Sequence, residues 1–186
     1  MSKINILFLC TGNSCRSQMA EGWAKHLKSD KINAYSAGIE THGLNQNAVK
    51  VMAEAGVDIS KHRSQHVDEL KNISFDYVVT ICGHANESCP IFPGNTKVVH
   101  FGFDDPPKLA KELAEKGASE EEQLNCYRKV RDEIKHFVET LPETLSGEKK
   151  KGFFSKMFDK LDKKLEAKSK KSSCCTPSNK GGSSCC

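Results

Sequence analysis

Residues Ile4–Leu27 read INILFLCTGNSCRSQMAEGWAKHL, and the fold is decided there. Ile4 to Cys10 is an unbroken apolar run, the pattern of a strand buried on both faces. Met19, Ala20, Trp23, Ala24 and Leu27 then recur at helical offsets. Only small or turn-forming residues, Thr11 to Cys15, separate the two periods. A strand that turns straight into a helix opens a βα unit and predicts a parallel sheet. Three further strands are expected over 33–39 (NAYSAGI), 77–82 (YVVTIC) and 97–103 (KVVHFGF). Asn45 is placed to cap a helix whose inner face is Ala48, Val51, Met52 and Ala55, with Gly56 ending it, and Ser60 to cap a short one carrying Val67 and Leu70. A long helix is expected from Glu120 to Leu141 along the stripe Leu124, Tyr127, Val130, Ile134, Phe137, Val138 and Leu141. The fold class expected is α/β: a four-stranded parallel sheet, doubly wound and flavodoxin-like, with helices on both faces.

The chain has 186 residues, 37% of them hydrophobic, enough for one substantial core. Its net charge of +4 is unevenly spread. Residues 147–186 hold eleven lysines against four acidic residues, which leaves −3 for residues 1–146. A mildly acidic body gives no reason to expect nucleic-acid binding. The organisation expected is a catalytic domain over 1–146, a basic amphipathic helix over 147–171 with apolar residues at helical spacing, and a disordered tail over 172–186 rich in Ser, Gly, Pro and Asn. The amino terminus, with one early lysine and a short apolar run, has the form of neither a secretory signal nor a spanning helix, so a cytoplasmic location is expected. Nine cysteines, five of them scattered through the α/β pattern, argue for reactive or packed thiols rather than a disulfide framework.

The loop Cys10–Ser17 carries the first chemistry. Thr11, Gly12, Asn13, Ser14 and Cys15 are residues whose backbone N–H groups can converge on a common centre, and the helix that follows adds its positive end. Arg16 supplies a planar fork matched to an oxyanion. Such a cradle is expected to lower the pKa of Cys10 and make it a nucleophile, with Ser14 and Ser17 as further donors to the sulfur. Past the fourth strand, FGFDDPP sets Asp105 as a general acid for a leaving oxygen, while Asp104 serves as a solvated or capping residue. Cys10, Cys82 and Asp105 all stand at strand ends and are expected along one edge of the sheet. Cys82 and Cys89 lie seven residues apart in a polar segment. A continuous helix would hold their Cα atoms roughly 10 Å apart, whereas a disulfide wants them within about 7 Å. Pairing them requires the segment to rearrange.

The string CTGNSCRSQMAEGW, then YSAGIETHG, the C-x6-C-P at Cys82 and Cys89, FGFDDP and KVRDEI together resemble the thioredoxin-coupled arsenate reductases, which are built on the low-molecular-weight protein tyrosine phosphatase fold. The resemblance runs over about residues 3–141. It implies reduction of arsenate to arsenite by a thiol relay without a cofactor. Cys10 attacks arsenate bound by Thr11 to Ser17, Cys82 attacks the arsenylated Cys10 and expels arsenite, and Cys89 then attacks Cys82. The Cys82–Cys89 disulfide is returned to thiols by thioredoxin, glutaredoxin being the other reductant to test. Members that bind potassium beside the loop use an asparagine, a glutamate, a serine and an aspartate. Asn13, Glu21 and Ser36 match, but the fourth position here is Gln65, so no metal is expected.

Cys174, Cys175, Cys185 and Cys186 lie outside the resemblance; adjacent thiolates suit trivalent arsenic or a soft metal, and an uninvolved solvated tail is the plain alternative. The basic helix before them is expected to make at most a weak contact with an anionic membrane or a partner. Cys126 is expected to pack, and the segment 107–127 to be a surface helix or loop. Two rival functions share these features: a low-molecular-weight tyrosine phosphatase, which needs no Cys82 or Cys89, and a thiol-rich sequestration protein.

Overall fold

The computed structural model describes residues 3–145, apart from Pro93. Four strands form one parallel sheet in the order β2-β1-β3-β4, where β1 is Ile4–Cys10, β2 Ile32–Gly38, β3 Tyr77–Thr80 and β4 Lys97–His100. The helices are α1 Arg16–Leu27, α2 Gln46–Glu54, α3 Gly83–Glu87, α4 Pro106–Glu115 and α5 Glu120–Glu139, with a single 3₁₀ turn at Val67–Leu70. Successive strand residues point to opposite faces. Leu7 and Phe8 in β1, and Val78 and Val79 in β3, are fully buried, so both faces of the sheet are covered. Strand order reverses at β1, which therefore marks the crevice where such sheets bind ligands.

Two sequence-based expectations are corrected. The short helix carrying Val67 and Leu70 is capped by His66 in a reciprocal box with Glu69, not by Ser60. Local polar residues rather than the apolar spacing set its start. The third and fourth strands are also shorter than expected, ending at Thr80 and His100. The chain beyond each ladder continues as extended backbone, Phe101 N–H donating to Thr80 carbonyl and Ile81 N–H to Leu9 carbonyl. Asn45 does cap α2, accepting from the Ala48 amide at 3.0 Å, and Gly56 follows the helix with φ of 80°. The segment 107–127 holds α4 and the start of α5. The expectations for residues 147–171 and 172–186, including the four tail cysteines, lie outside the described residues. No helix among those described is long and apolar enough to cross a membrane.

Candidate active site

β1 delivers Cys10 to the carboxyl edge of the sheet, and the loop that follows is turned inside out by its surroundings. The carbonyls of Cys10, Thr11, Gly12 and Ser14 each accept an amide from the segment 39–45, namely from Ile39, Glu40, His42 and Asn45 at 2.8–3.2 Å. The Ser64 hydroxyl adds a second bond to the Gly12 carbonyl, and Gln18 Nε2 reaches the Asn13 carbonyl at 3.0 Å. In a planar trans peptide the N–H points opposite to the C=O. Carbonyls drawn outward therefore send the amides of residues 11 to 15 inward. Of these, the Asn13 amide donates to Cys10 Sγ at 3.2 Å, while those of Thr11, Gly12, Ser14 and Cys15 donate to no acceptor among the described residues. α1 begins at Arg16 with no capping side chain and no acidic residue in its first turn, so its positive end also faces this centre.

Asn13 is the keystone of the turn. Its φ of 43° lies in the left-handed region, which asparagine tolerates better than most residues. Its side chain is fully buried and fully bonded. Nδ2 donates to Ser17 Oγ and Ser36 Oγ, each at 2.9 Å, and Oδ1 accepts from the Gln65 amide and Gln18 Nε2. Ser17 Oγ, which receives that N–H, lies 2.9 Å from Cys10 Sγ and can donate its own proton to the sulfur. Ser17 is thus the side-chain donor to the sulfur; Ser14, also expected there, makes no such bond among the described residues. Gln18 in turn accepts from His62 Nδ1 at 3.0 Å. Burial holds the His62 imidazole below its ordinary pKa, against the pull of Glu21.

The expectation of a lowered Cys10 pKa is not met. Burial pushes the thiol up, and the hydrogen bonds from Ser17 and the Asn13 amide oppose that without overcoming it. The arginine helps to explain why. Arg16 donates from Nη1 to the Phe103 carbonyl at 3.0 Å and pairs through Nη2 with Asp105 at 3.3 Å. It lies among the charges that act on Cys15 rather than on Cys10. Cys15 itself is buried and its thiol is raised as well. Asp105 begins α4 as its cap residue, yet its carboxylate makes no capping bond and is turned to Arg16. Asp104 instead faces Lys129 on α5 at 3.7 Å. The structure thereby gives the two adjacent aspartates different partners.

Cys82 follows β3 and sits as the residue before α3, 6% exposed, with its Sγ 3.4 Å from the hydroxyl of Thr11. Cys89 stands just past the far end of α3 and is half-buried. Cys10, Cys82 and Asp105 do share one sheet edge, as expected; Cys89 does not touch the loop. Cys126 lies on α5, half-buried, with its thiol directed at the Glu122 carbonyl one turn back.

Asn13, Glu21, Ser36 and Gln65 also come together, which tests them as a potassium site. Ser36 Oγ donates to Glu21 Oε2, Gln65 Nε2 donates to the Ser36 carbonyl at 2.8 Å, and Lys25 Nζ pairs with Glu21 Oε1. The oxygens that would face a cation already hold internal donors, one of them an ammonium. These residues do not fit the ion. Gln18, His62, Ser64, Lys25 and the 39–45 segment are the site residues that sequence reasoning missed; only the YSAGIETHG string pointed near them.

This arrangement can hold a tetrahedral oxyanion over a cysteine and present it to a second thiol. The model of the low molecular weight phosphotyrosine protein phosphatase family matches residues 5–151. An arsenate reductase of Bacillus licheniformis is 53% identical over 144 residues, 77% of this chain and 99% of its own. One from Halalkalibacterium halodurans is 52% identical over the same shares. Among solved structures, an arsenate reductase in the phosphate binding state superposes with a TM-score of 0.56 at 31% identity, covering 74% of this chain and 95% of that one. With that family model matched over residues 5–151 and arsenate reductases 52–53% identical over three quarters of its length, the chain belongs to the low molecular weight phosphotyrosine protein phosphatase family.

Proposed function

We propose that the chain reduces arsenate to arsenite through Cys10, Cys82 and Cys89, with a thioredoxin-type dithiol protein restoring the thiols. The observation that carries this reading is the second thiol at the loop: Cys82 Sγ hydrogen-bonded to Thr11, one residue from the nucleophile. Hydrolysis of a phosphate ester has no use for it. Arsenate enters the inward amides and is further held by Arg16, whose remaining N–H donors extend from the Asp105 contact. Cys10 sulfur attacks arsenic, and Asp105 protonates the departing oxygen. The Cys10 proton passes to an oxygen of the bound arsenate, and Ser17 and the Asn13 amide hold the sulfur's negative charge as it leaves.

Cys82 sulfur then attacks Cys10 sulfur. The S–As bond breaks with its electron pair left on arsenic, so As(V) departs as arsenite and the two sulfurs share a disulfide. Cys89 attacks Cys82, the Cys10 thiolate leaves, and the final disulfide joins Cys82 and Cys89. α3 must unwind for this, because it is a five-residue helix lying between them. It is built to do so at small cost: Gly83, His84, Asn86, Glu87 and Ser88 are exposed, and Ala85 is its only buried residue. Ile91, 99% exposed and two residues past Cys89, offers an apolar contact for the protein reductant.

Phosphate-ester hydrolysis is the second reading, favoured by the same loop, Arg16 and Asp105. Replacing Cys89 by serine separates the two. Arsenate turnover, followed as NADPH oxidation with thioredoxin and its reductase against a glutaredoxin control, should stop, while any ester hydrolysis survives. Continued arsenate turnover in that variant would refute the relay. The tail cysteines 174, 175, 185 and 186 are proposed as an accessory binder of arsenite, and deletion of residues 147–186 tests this: an unchanged arsenite stoichiometry dismisses it.

A further inference from the structure

The Cys82 thiol is buried, and among the described residues the Thr11 hydroxyl is its one hydrogen-bond partner. To attack the arsenylated Cys10 it must lose a proton, and only 6% of the residue is exposed. Thr11 Oγ1, however, has a second neighbour. His84 Nδ1 stands 3.5 Å from it, in the first turn of α3, with the imidazole otherwise exposed to solvent. Distances of this length in a substrate-free enzyme commonly shorten in the reacting complex. A hydroxyl can accept one hydrogen bond while donating another. The three groups therefore lie in line from a buried thiol to an exposed imidazole, and with Cys82 as first donor they make a chain that ends on a base.

We propose that His84 is a positioning residue that draws the proton from Cys82 through the Thr11 hydroxyl during the second step of the relay; the inference rests on the relay reading given above. Cys82 S–H donates to Thr11 Oγ1, whose own proton points to His84 Nδ1. As Cys82 sulfur bonds to Cys10 sulfur, the thiol proton passes to Thr11 and the Thr11 proton to His84, giving an imidazolium. No electrons move in this transfer; the two that reduce arsenic come from the sulfurs. The imidazolium then gives up its Nδ1 proton to water as Thr11 and His84 separate, which restores the resting tautomer with hydrogen on Nε2. The arrangement also confines the base to the second step. Cys10 has its own partners, Ser17 and Asn13, on the other side of the loop, so a base at His84 leaves the first attack to them.

The test is a single turnover at neutral pH in the full chain. Arsenate is mixed with reduced protein, free thiols are trapped by alkylation, and the Cys82–Cys89 disulfide is quantified by mass spectrometry. His84→Ala should form it about tenfold more slowly, below the 100-fold typical of a directly placed base, and added imidazole should restore the rate. His84→Asn, which keeps an acceptor for Thr11 but takes up no proton, should be as slow as His84→Ala. A wild-type rate in His84→Ala, a wild-type rate in His84→Asn, or failure of imidazole to restore His84→Ala would each overturn the assignment. Thermal unfolding matched to wild type excludes a folding defect as the cause of slowing. If the unaltered chain forms no Cys82–Cys89 disulfide with arsenate, the relay reading itself fails, an outcome distinct from any of these.

Discussion

The loop at residues 10–17 and the segment at 82–89 face each other across the sheet edge, and they are built in opposite ways. The first is buried, its carbonyls tied to an outer shell and its one strained residue, Asn13, bonded at both ends of its amide. The second, after the buried Cys82, is a single exposed helical turn with Ala85 as its one buried residue. The contrast follows from their tasks. An oxyanion must meet donors already in place, since reorienting amides during reaction would forfeit their electrostatic effect. A disulfide between residues seven apart needs a backbone that gives way. One region stores order, and the other is left cheap to disorder.

The largest effect expected falls on the movable region. Cys89→Ser should lower arsenate turnover by on the order of 10³-fold or more, as loss of an essential nucleophile does, and intact-protein mass spectrometry should find the chain stalled as a Cys10–Cys82 disulfide. Next comes the ordered region. Asn13→Ala removes four hydrogen bonds and leaves a Cβ-bearing residue without local support at positive φ. Chemical denaturation should show a loss of about 2–3 kcal/mol, and Asn13→Gly, which accepts that φ freely, should lose less. If the two variants are equally destabilised, backbone strain plays no part in the loop.

The loop was readable in sequence because its elements are local: an apolar run, small residues, an arginine and a helical stripe within 24 positions. Its inversion was not. The bonds that turn the carbonyls outward come from Ile39, Glu40, His42, Asn45 and Ser64, partners 29 to 52 residues away with no spacing that announces them. For the same reason the direction of the Cys10 pKa was misjudged. A cradle of donors is visible in the sequence, but the depth of burial and the diversion of Arg16 to Phe103 and Asp105 are properties of the packed chain. Asp104 and Asp105 were given different roles from the sequence, but their partners, Lys129 on α5 and Arg16 on α1, come only from the packed chain.

That burial has a measurable pH consequence. Cys10 and Cys15 both have thiols raised in the folded state, so the unfolded chain releases their protons first. The contribution of these thiols to stability should be constant below the ordinary thiol value of about 8.5 and then fall by about 1.4 kcal/mol per pH unit for each of them. Urea titrations at successive pH values check this, and Cys15→Ala should make the slope shallower by about 1.4 kcal/mol per pH unit. A stability that rises above that pH would contradict the buried, neutral thiols. On the acid side His62, held below its ordinary pKa, contributes stability that is lost as pH falls below about 6.5. A smaller effect is expected from ions. With Lys25 already on Glu21, exchanging potassium for choline should leave kcat/KM for arsenate unchanged, and a potassium optimum would show that the ammonium is displaced.

The direct test is peptide mapping of the reduced chain after one equivalent of arsenate. The account predicts a Cys82–Cys89 disulfide, one arsenite released per disulfide, and neither in Cys10→Ser. Arsenite release without that linkage, or the same linkage formed at full rate when Cys10 is absent, would contradict it.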